Sequence, residues 1–237
     1  MTFSSANQNT IDPLAAFLYH PDMTHDILIE LTWELEKTAP PFEGNNIKSP
    51  EGLYRHIIKK YTVKGAKVFD PFVGLGTTMF MAEELGRIPY GIEADPNRHQ
   101  WVAGQLENWT HVVNDDSANI ARYEFPKMDI ILTCPPFMSR FDKWNPLYDG
   151  DPKHAGYDAY LRRMTHILGK IPPVMKKETL LILEGQNIVK GNQFTPLIHD
   201  IVKSASKSFK QVGESYVKWI NPKTDCPLTT LLIFKKK

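Results

Sequence analysis

The sequence predicts an α/β fold with a mostly parallel sheet and helices on both faces. From residue 66 onward, short apolar runs that are typical of buried strands alternate with helical patterns. Such alternation is typical of βαβ units, whose parallel strands are buried on both faces. The chain has 237 residues, 42% of them hydrophobic and 23% charged, which suits one globular domain with a small extension.

The alternation divides into seven strands and the helices between them. The predicted strands are 66–70, 88–95, 111–115, 128–133, 179–185, 213–220 and 228–236. The predicted helices are 49–61, 77–85, 96–109, 157–171 and 195–209. Prolines and glycines mark several boundaries, since Pro50 and Pro196 open two helices and Gly86 closes another. We therefore expect a seven-stranded sheet whose last two strands close it as a pair.

One more helix is predicted near the N-terminus, over residues 24–37. Apolar residues stand there at positions 27, 28, 31, 33 and 35. Thr24 is a suitable N-cap, and Lys37 places a favourable charge in the last turn. Residues 1–46 are therefore expected to form an N-terminal helical extension that caps the ligand site, and residues 47–237 the main domain.

Composition narrows the class of protein. No run of 18 apolar residues occurs, so no transmembrane helix is expected, and the first residues lack the order of a signal peptide. The two cysteines, Cys134 and Cys226, do not indicate a disulfide framework, and a reducing, cytoplasmic setting is expected. The net charge of +1 does not by itself point to a nucleic-acid partner.

A glycine-rich turn follows the first strand of the main domain. Gly74 and Gly76 lie between that strand and a helix, where glycine permits positive φ and close backbone approach to a ligand. Glu93 stands 17 residues after Gly76, at the end of the next strand. An acid at that place hydrogen-bonds the two ribose hydroxyls of an adenosine.

Two residues distinguish between the adenosine ligands that such a turn binds. Met79 stands where a dinucleotide fingerprint requires a small residue. Asp70, at the tip of the strand, repels pyrophosphate and suits a cationic amino group. The expected ligand carries adenosine and an ammonium group without phosphate, which describes S-adenosylmethionine (SAM).

The strand over 128–133 ends in Cys134-Pro135-Pro136-Phe137, although proline has no N–H for a strand ladder. Three interpretations of this ending are open from the residues. It is a simple strand-ending turn with Cys134 as a small buried hydrophobe. It is a stiff cap that presents a carbonyl and an aromatic face to a substrate. Or Cys134 is a nucleophile, although enzymes that methylate carbon-5 of cytosine use a Pro-Cys order instead.

These segments resemble the amino-group (N4-cytosine and N6-adenine) DNA methyltransferases of bacteria and their phages. The resemblance covers roughly residues 49–237. DPFVGLGTT resembles the family's first motif, with Leu75 in place of serine, and GIEADP resembles its second. SPEGLYRHIIKKYT is similar to the element that contacts the methionine end of the cofactor. NDDSAN stands at the adenine-contacting acid, where we favour Asp116 over Asp115, and CPPF stands at the catalytic tetrapeptide.

The resemblance implies a Rossmann-like, class I SAM-dependent methyltransferase fold and a set of site residues. Those implied to bind SAM are Asp70, Pro71, Phe72, Gly74, Gly76, Thr77, Thr78, Glu93, Asp116 and Cys134. Those implied to act in catalysis are Cys134, Pro135, Pro136 and Phe137. Cys134 departs from the usual Asp, Asn or Ser, which weakens the choice of base. N4 of cytosine is slightly favoured over N6 of adenine, because the family uses a small serine-like residue for cytosine.

The segment over 138–156 follows the tetrapeptide and is expected to contact nucleic acid. Arg140, Lys143, Trp144 and Lys153 are the candidate contacts, because basic groups with interleaved aromatics hold phosphates and fill the gap left by a flipped base. An ordinary surface loop is the competing interpretation. The expected partner is double-stranded DNA with a flipped target base. A homodimer and a restriction endonuclease partner stay open, and a bacterial, archaeal or phage origin is expected.

Three other functions compete with DNA amino-methylation. The first is the same chemistry on an RNA base amine, although the sequence has no visible RNA-binding domain. The second is a non-catalytic module that binds SAM or DNA. The third is a nicotinamide oxidoreductase, which Met79 and Asp70 disfavour.

Overall fold

The computed structural model describes residues 27–36, 42, 48–222 and 228–237. Its strands are β1 (Leu28–Thr32), β2 (Lys67–Asp70), β3 (Ile88–Glu93), β4 (Val112–Asn114), β5 (Met128–Thr133), β6 (Met175–Gly185), β7 (Ile188–Lys190), β8 (Gln193–Thr195), β9 (Phe209–Ile220) and β10 (Leu228–Lys236). Its α-helices are α1 (Glu51–Tyr61), α2 (Thr77–Glu84), α3 (Pro96–Ala103), α4 (Tyr157–Leu168) and α5 (Leu197–Ala205). All seven predicted strands and all five predicted helices of the main domain are present.

The main sheet has the strand order β1-β9-β10-β6-β5-β2-β3-β4. β10 runs antiparallel to both of its neighbours, β6 and β9, and the other pairings are parallel. β3 and β4 follow on one side of β2, whereas β5 and β6 lie on its other side, so the topology reverses between β2 and β5. Ligands in such sheets bind beyond the carboxyl ends of the strands at this switch point, so the residues after β2 and β5 share one edge.

The central strands are buried on both faces, as their unbroken apolar runs predict. In β2, Val68 packs into the core under α1, α2 and α3, while Phe69 packs into the core under α4 and α5. Ile130 and Ile131 of β5 divide between the two faces in the same way. All four side chains are at most 1% exposed. This double layer fixes the strands whose carboxyl ends carry the candidate site.

The helix predicted over residues 24–37 is wrong where the structure describes it, because residues 28–32 form strand β1. β1 pairs in parallel with β9, with Ile29 opposite Val217 and Leu31 opposite Trp219. Trp33 continues this alternation and meets the ring of Trp219 at 5.0 Å. Ile29, Leu31 and Trp33 alternate along the strand and place their side chains on the same face of the sheet. The pairing with β9 therefore decides the structure here, and not the helical spacing of the local apolar residues.

β1 also corrects the predicted strand number, since the main sheet of the described residues has eight strands. The expected helical cap over the ligand site is not found at residues 28–36, and residues 1–26 lie outside the described part of the chain. The division at residue 46 stays a prediction. No helix among the described residues has the length and apolar character needed to cross a membrane.

Candidate active site at the carboxyl ends of β2, β3 and β5

The carboxylate of Asp70 lies at the centre of the site. Its Oδ1 accepts hydrogen bonds from the backbone N–H of Phe72 at 2.8 Å and from the Thr133 hydroxyl at 2.5 Å. Its Oδ2 accepts from the Thr78 hydroxyl at 2.5 Å. Asp70 is only 2% exposed. One side chain of β2 thus connects its own loop, the first turn of α2 and the end of β5.

These bonds change the predicted role of Asp70. From its position in the sequence, Asp70 is expected to bind a cationic amino group of the ligand. Three of its roughly four lone-pair directions are already occupied within the protein. Burial raises the pKa of Asp70 to about 6, although its three hydrogen bonds act in the opposite direction. Its main structural role is therefore to hold the two loops together.

The glycine loop has the conformation that the sequence predicts. Gly74 has φ +56° and Gly76 has φ +77°, a region that side chains with a Cβ rarely adopt. Gly76 precedes the first residue of α2, and a Cβ there would lie 2.8 Å from the Phe80 ring. Thr77 and Thr78 follow as the buried first turn of α2. Glycine is therefore the residue that the backbone conformation favours at both positions of the turn.

Glu93 ends β3 beside this loop, as predicted. Its carboxylate accepts from the backbone N–H of Gly74 at 2.6 Å and from that of Asp95 at 2.9 Å. These bonds leave one oxygen lone pair on each side of the carboxylate for further donors, such as ribose hydroxyls. Burial raises the pKa of Glu93 to about 7.

The segment after β4 is fixed to the same loop. The Ser117 hydroxyl donates to the Pro71 carbonyl in a very short contact. Asp116 precedes Ser117 and caps the short helix Ser117–Arg122 through the N–H of Ala118. Its other oxygen pairs with Arg163 of α4. The predicted adenine-contacting acid is thus at the right edge, and an ion pair that the sequence did not reveal holds it.

The two acids of this segment, Asp115 and Asp116, have different surroundings. Asp115 accepts hydrogen bonds from the Asn119 amide at 2.8 Å, the Tyr123 hydroxyl at 2.8 Å and the N–H of Asp116 at 2.7 Å. These partners turn the Asp115 carboxylate toward the short helix. Asp116 retains 39% of its side-chain surface. Asp116 has fewer partners within the protein than Asp115, and its contact with adenine stays a prediction.

The tetrapeptide after β5 is held from α4. The buried Tyr160 hydroxyl donates to the Pro136 carbonyl at 3.0 Å. No side chain of the described residues donates to the Pro135 carbonyl. Phe137 is 37% exposed, so its ring offers an open face at the edge of the site. The second proline is therefore fixed by the protein, and the first keeps its carbonyl available.

A group of polar side chains from α1 and β6 surrounds Cys134. The Glu184 carboxylate accepts from the Ser49 hydroxyl at 2.9 Å and from the Tyr54 hydroxyl at 2.6 Å. Ser49 acts to lower the pKa of the Cys134 thiol, against the larger effect of burial. The segment that resembles a cofactor-contacting element therefore reaches the tetrapeptide, and Glu184 completes the group.

The thiol of Cys134 is held in its neutral form. Burial raises its pKa well above the ordinary value, and the negative charges of Glu184 and Asp70 raise it further. A reactive cysteine requires the thiolate, which positive surroundings favour. This environment argues against Cys134 as a nucleophile and supports its interpretation as a neutral contact residue.

The segment over 138–156 is a compact, hydrogen-bonded unit. Buried Asn145 organises it: its amide donates to the His154 carbonyl at 2.9 Å, and its side-chain oxygen accepts from the N–H of Leu147 at 3.1 Å. Arg140, Lys143, Trp144 and Lys153 all lie exposed on this unit. The guanidinium of Arg140 lies 4.9 Å from the centre of the Phe141 ring. The four predicted contacts thus share one accessible segment next to the tetrapeptide.

Several residues of the site were not predicted. Thr133, Tyr160, Arg163 and Ser117 hold the site together through pairings that span 46 or more positions, except Tyr160, which reaches back 24. No motif marks Thr133, Tyr160 or Arg163, and Ser117 lies in NDDSAN without a role of its own in that motif. The sequence carries one signal for these roles, which is position: Thr133 ends a predicted strand, and Tyr160 and Arg163 lie on the predicted helix after the tetrapeptide. Among the described residues, no cluster of His, Cys, Asp and Glu side chains could hold a metal ion.

Residues 19–104 match the N6_N4_Mtase family model, which is described as DNA methylase. This match makes residues 19–104 similar to DNA methylases, and it covers less than half of the chain. The segment includes the glycine loop and Glu93, and it ends before Asp116 and the tetrapeptide. The predicted resemblance to amino-group DNA methyltransferases is confirmed over this part of the chain.

A curated protein of similar sequence agrees with the family match. The chain is 33% identical over 87 residues to the type II methyltransferase M.MjaI of Methanocaldococcus jannaschii. This alignment covers 35% of the chain and 29% of the relative. The chain therefore spans less than a third of the length of that relative.

Solved structures confirm the predicted class I methyltransferase fold. TrmN from Thermus thermophilus superposes with a TM-score of 0.56 at 16% identity, over 79% of this chain and 49% of that one. A TehB-like SAM-dependent methyltransferase from Corynebacterium glutamicum has a TM-score of 0.51 at 13% identity, over 78% of this chain and 87% of that one. At these identities the likeness concerns the fold.

The raised pKa values predict how stability depends on pH. The native protein binds protons at Asp70 and Glu93 that the unfolded chain releases, so the free energy of unfolding falls as pH rises from about 5 to about 7. Glu93→Gln removes one of these titrating groups. The decrease in the free energy of unfolding between about pH 5 and 7 is then smaller by up to about 3 kcal/mol. Urea denaturation of the ligand-free protein at a series of pH values measures both slopes.

Glu36→Gln is the matched control for this measurement. A hydrogen bond from Arg55 lowers the pKa of Glu36, so its titration is complete below the window. This variant therefore keeps the wild-type slope between about pH 5 and 7, whatever its absolute stability. Identical slopes for Glu93→Gln and the wild type would contradict a buried, proton-binding Glu93.

Proposed function

We propose that the protein transfers a methyl group from SAM to an exocyclic amine of a DNA base, with N4 of cytosine favoured over N6 of adenine. The observation that carries the proposal is the Asp70–Thr133 hydrogen bond. It joins the glycine loop of a DNA methylase segment to the residue directly before Cys134-Pro135-Pro136-Phe137. A cofactor loop and an amine-binding cap thus meet at one sheet edge.

The residues at the edge fit SAM as the cofactor. Glu93 has acceptor capacity for the ribose hydroxyls, and Gly74 and Gly76 bring the backbone close to the strand ends. Between Asp70 and Thr78 the loop contains an acid and no Lys, Arg or His, which suits a ligand without phosphate. Bound there, SAM would supply an electrophilic methyl group on a sulfonium ion.

The tetrapeptide supports the amine side of the reaction. An exocyclic amine is a weak nucleophile, because its lone pair is delocalised into the base. Acceptors for its two hydrogens allow the nitrogen to become tetrahedral as positive charge develops. The Pro135 carbonyl is one such acceptor, and the neutral Cys134 sulfur provides a second, softer contact. Phe137 offers an exposed ring for stacking on a base that has left the duplex.

The choice of base rests on Cys134. A small, uncharged side chain at the first tetrapeptide position resembles the serine that this family uses for cytosine more than the acid it uses for adenine. Burial keeps the Cys134 thiol neutral and therefore preserves this likeness. We accordingly place N4 of cytosine before N6 of adenine.

Double-stranded DNA is the proposed partner. Arg140, Lys143 and Lys153 present positive charge on the exposed segment that follows the tetrapeptide, and Trp144 adds an aromatic face that is 54% exposed. Lysines and arginines neutralise backbone phosphates, and exposed aromatics stack on unpaired bases. This segment lies beside the place where a flipped base would enter.

Product identification tests the proposal. The protein is incubated with SAM labelled on its methyl group and with unmodified genomic DNA or total RNA, and the polymers are digested to nucleosides for mass spectrometry. Label in N4-methyldeoxycytidine is the expected result. N6-methyldeoxyadenosine would overturn the choice of base, and label confined to RNA would establish the competing substrate. Label in neither polymer would overturn the enzymatic function.

Tyr160→Phe tests how the tetrapeptide is positioned. The variant removes the hydroxyl that holds the Pro136 carbonyl, while the ring keeps its packing. The loss of one such hydrogen bond is expected to lower kcat about 2- to 10-fold. The KM for SAM is expected to stay unchanged, since the hydroxyl that is removed donates to the tetrapeptide and the ring keeps its packing. Steady-state methylation of DNA, with SAM varied, separates the two constants.

Tyr157→Phe is the matched control, one turn earlier on the same helix. Tyr157 donates to Asp200 at 2.9 Å, away from the tetrapeptide, and its ring stacks on Tyr160. It therefore reports any general effect of losing a tyrosine hydroxyl from α4. Equal effects of the two variants on kcat would refute a specific positioning role for Tyr160.

A further inference from the structure

A small antiparallel ribbon stands apart from the main sheet. β7 and β8 pair only with each other, with Val189 opposite Phe194 and Lys190 opposite Gln193. Two residues, Gly191 and Asn192, form the turn, and Gly191 has φ +56°. Such a two-residue turn is typical of a tight hairpin. The ribbon follows the carboxyl end of β6 directly and therefore lies at the edge that carries the candidate site.

The ribbon is fixed to the segment after the tetrapeptide. The hydroxyl of buried Thr195 accepts from the N–H of Arg140 at 3.1 Å and hydrogen-bonds the Ser139 hydroxyl at 3.2 Å. Lys190 pairs with Asp142 at 3.0 Å. Ser139 is itself only 2% exposed. Hydrogen bonds to buried side chains, and not the hairpin turn alone, therefore set the position of the ribbon relative to Phe137.

The ribbon exposes apolar side chains beside the tetrapeptide. Val189 is 68% exposed and Phe194 is 49% exposed, although they form a cross-strand pair. Phe137, Phe141 and Trp144 are also exposed on the adjoining segment. Scattered surface hydrophobics are ordinary, but a contiguous group of this kind marks an interaction surface. Because Thr195 and Lys190 join the ribbon to this segment, the exposed apolar side chains of both are carried by one connected unit that follows the tetrapeptide.

The charges on this surface favour a polyanionic partner. The ribbon and the segment over 138–156 carry four exposed bases, Arg140, Lys143, Lys153 and Lys190. Of the three acids there, Asp142 pairs with Lys190, Asp151 pairs with His154, and Asp149 is exposed. Positive charge around apolar side chains matches a groove in which phosphates border the bases. A second copy of the same surface would bring these cations against each other, which disfavours self-association.

We propose that the β7–β8 ribbon enters a groove of duplex DNA and places Val189 and Phe194 against the base pairs next to the flipped base. A two-stranded ribbon fits the major groove, and apolar side chains that wedge between bases stabilise an unstacked step. The ribbon is thereby a duplex-opening element, distinct from the phosphate contacts of the preceding segment. This inference rests on the proposed function, because it concerns how the target amine reaches the tetrapeptide.

The double variant Val189→Ser, Phe194→Ser tests the proposal. Both side chains are exposed, so the fold is retained, and circular dichroism and urea denaturation check this. Methyl transfer from labelled SAM is measured on native genomic DNA and on the same DNA after heat denaturation. The variant is expected to lose about tenfold or more activity on the duplex and less than about twofold on the separated strands. Trp109→Ala is the control, since Trp109 is 60% exposed at the opposite edge of the sheet, and it should change neither activity.

A binding measurement separates this proposal from the proposed function. Retention of sheared genomic duplex on filters should be about tenfold weaker for the double variant even if the wild type transfers no methyl group. Unchanged duplex binding and transfer would overturn the role of the ribbon. Equal losses on duplex and single strands would do so too. A wild-type dimer that the variant converts to a monomer, with duplex activity unchanged, would assign the surface to self-association and also overturn it.

Discussion

The buried carboxylate of Asp70 is the interaction on which the site depends. It binds the loop after β2 through the N–H of Phe72, the first turn of α2 through Thr78, and the end of β5 through Thr133. The glycine loop follows β2 and the tetrapeptide follows β5, and these two strands are neighbours at the switch point of the sheet. This shared hydrogen-bonding partner joins the two loops directly to each other, in addition to the strand pairing behind them.

Other hydrogen bonds extend this arrangement across the edge. Glu93 holds the glycine loop to β3, and Ser117 holds Pro71 to the segment after β4. Tyr160 fixes the second proline from α4. Preorganised groups of this kind do not have to reorient when charge develops during a reaction.

The same edge concentrates buried acids whose partners are neutral. Asp70 and Glu184 accept hydrogen bonds from hydroxyls and backbone N–H groups, and burial raises the pKa of each. Buried carboxylates without cationic partners cost free energy, which a bound cation would offset. The electrostatics of this edge therefore agree with a positively charged cofactor, through the whole group of acids and not through Asp70 alone.

The sequence predicted the parts of this protein that have local signals. Seven strands, the glycine loop, Glu93 at the end of β3 and the tetrapeptide after β5 follow from periodicity, glycine and proline positions, and spacing. The error at residues 28–32 has a physical cause: Ile29 and Leu31 form a strand because β9 lies beside them, and that partner is nearly 190 positions away. Thr133, Tyr160 and Arg163 were missed for a similar reason, since their contacts exist only in the folded chain. The β7–β8 ribbon was missed because its strands have three residues each, too few for a periodic pattern.

The most direct test of this account is a crystal structure of the protein with S-adenosylhomocysteine. We expect the ribose hydroxyls to hydrogen-bond Glu93, the adenine to lie near Asp116, and the sulfur to face the Pro135 carbonyl. The Asp70–Thr133 hydrogen bond should be unchanged, because it holds the two loops around the ligand. A ligand whose ribose lies away from Glu93, or whose sulfur points away from the tetrapeptide, would contradict the proposed site.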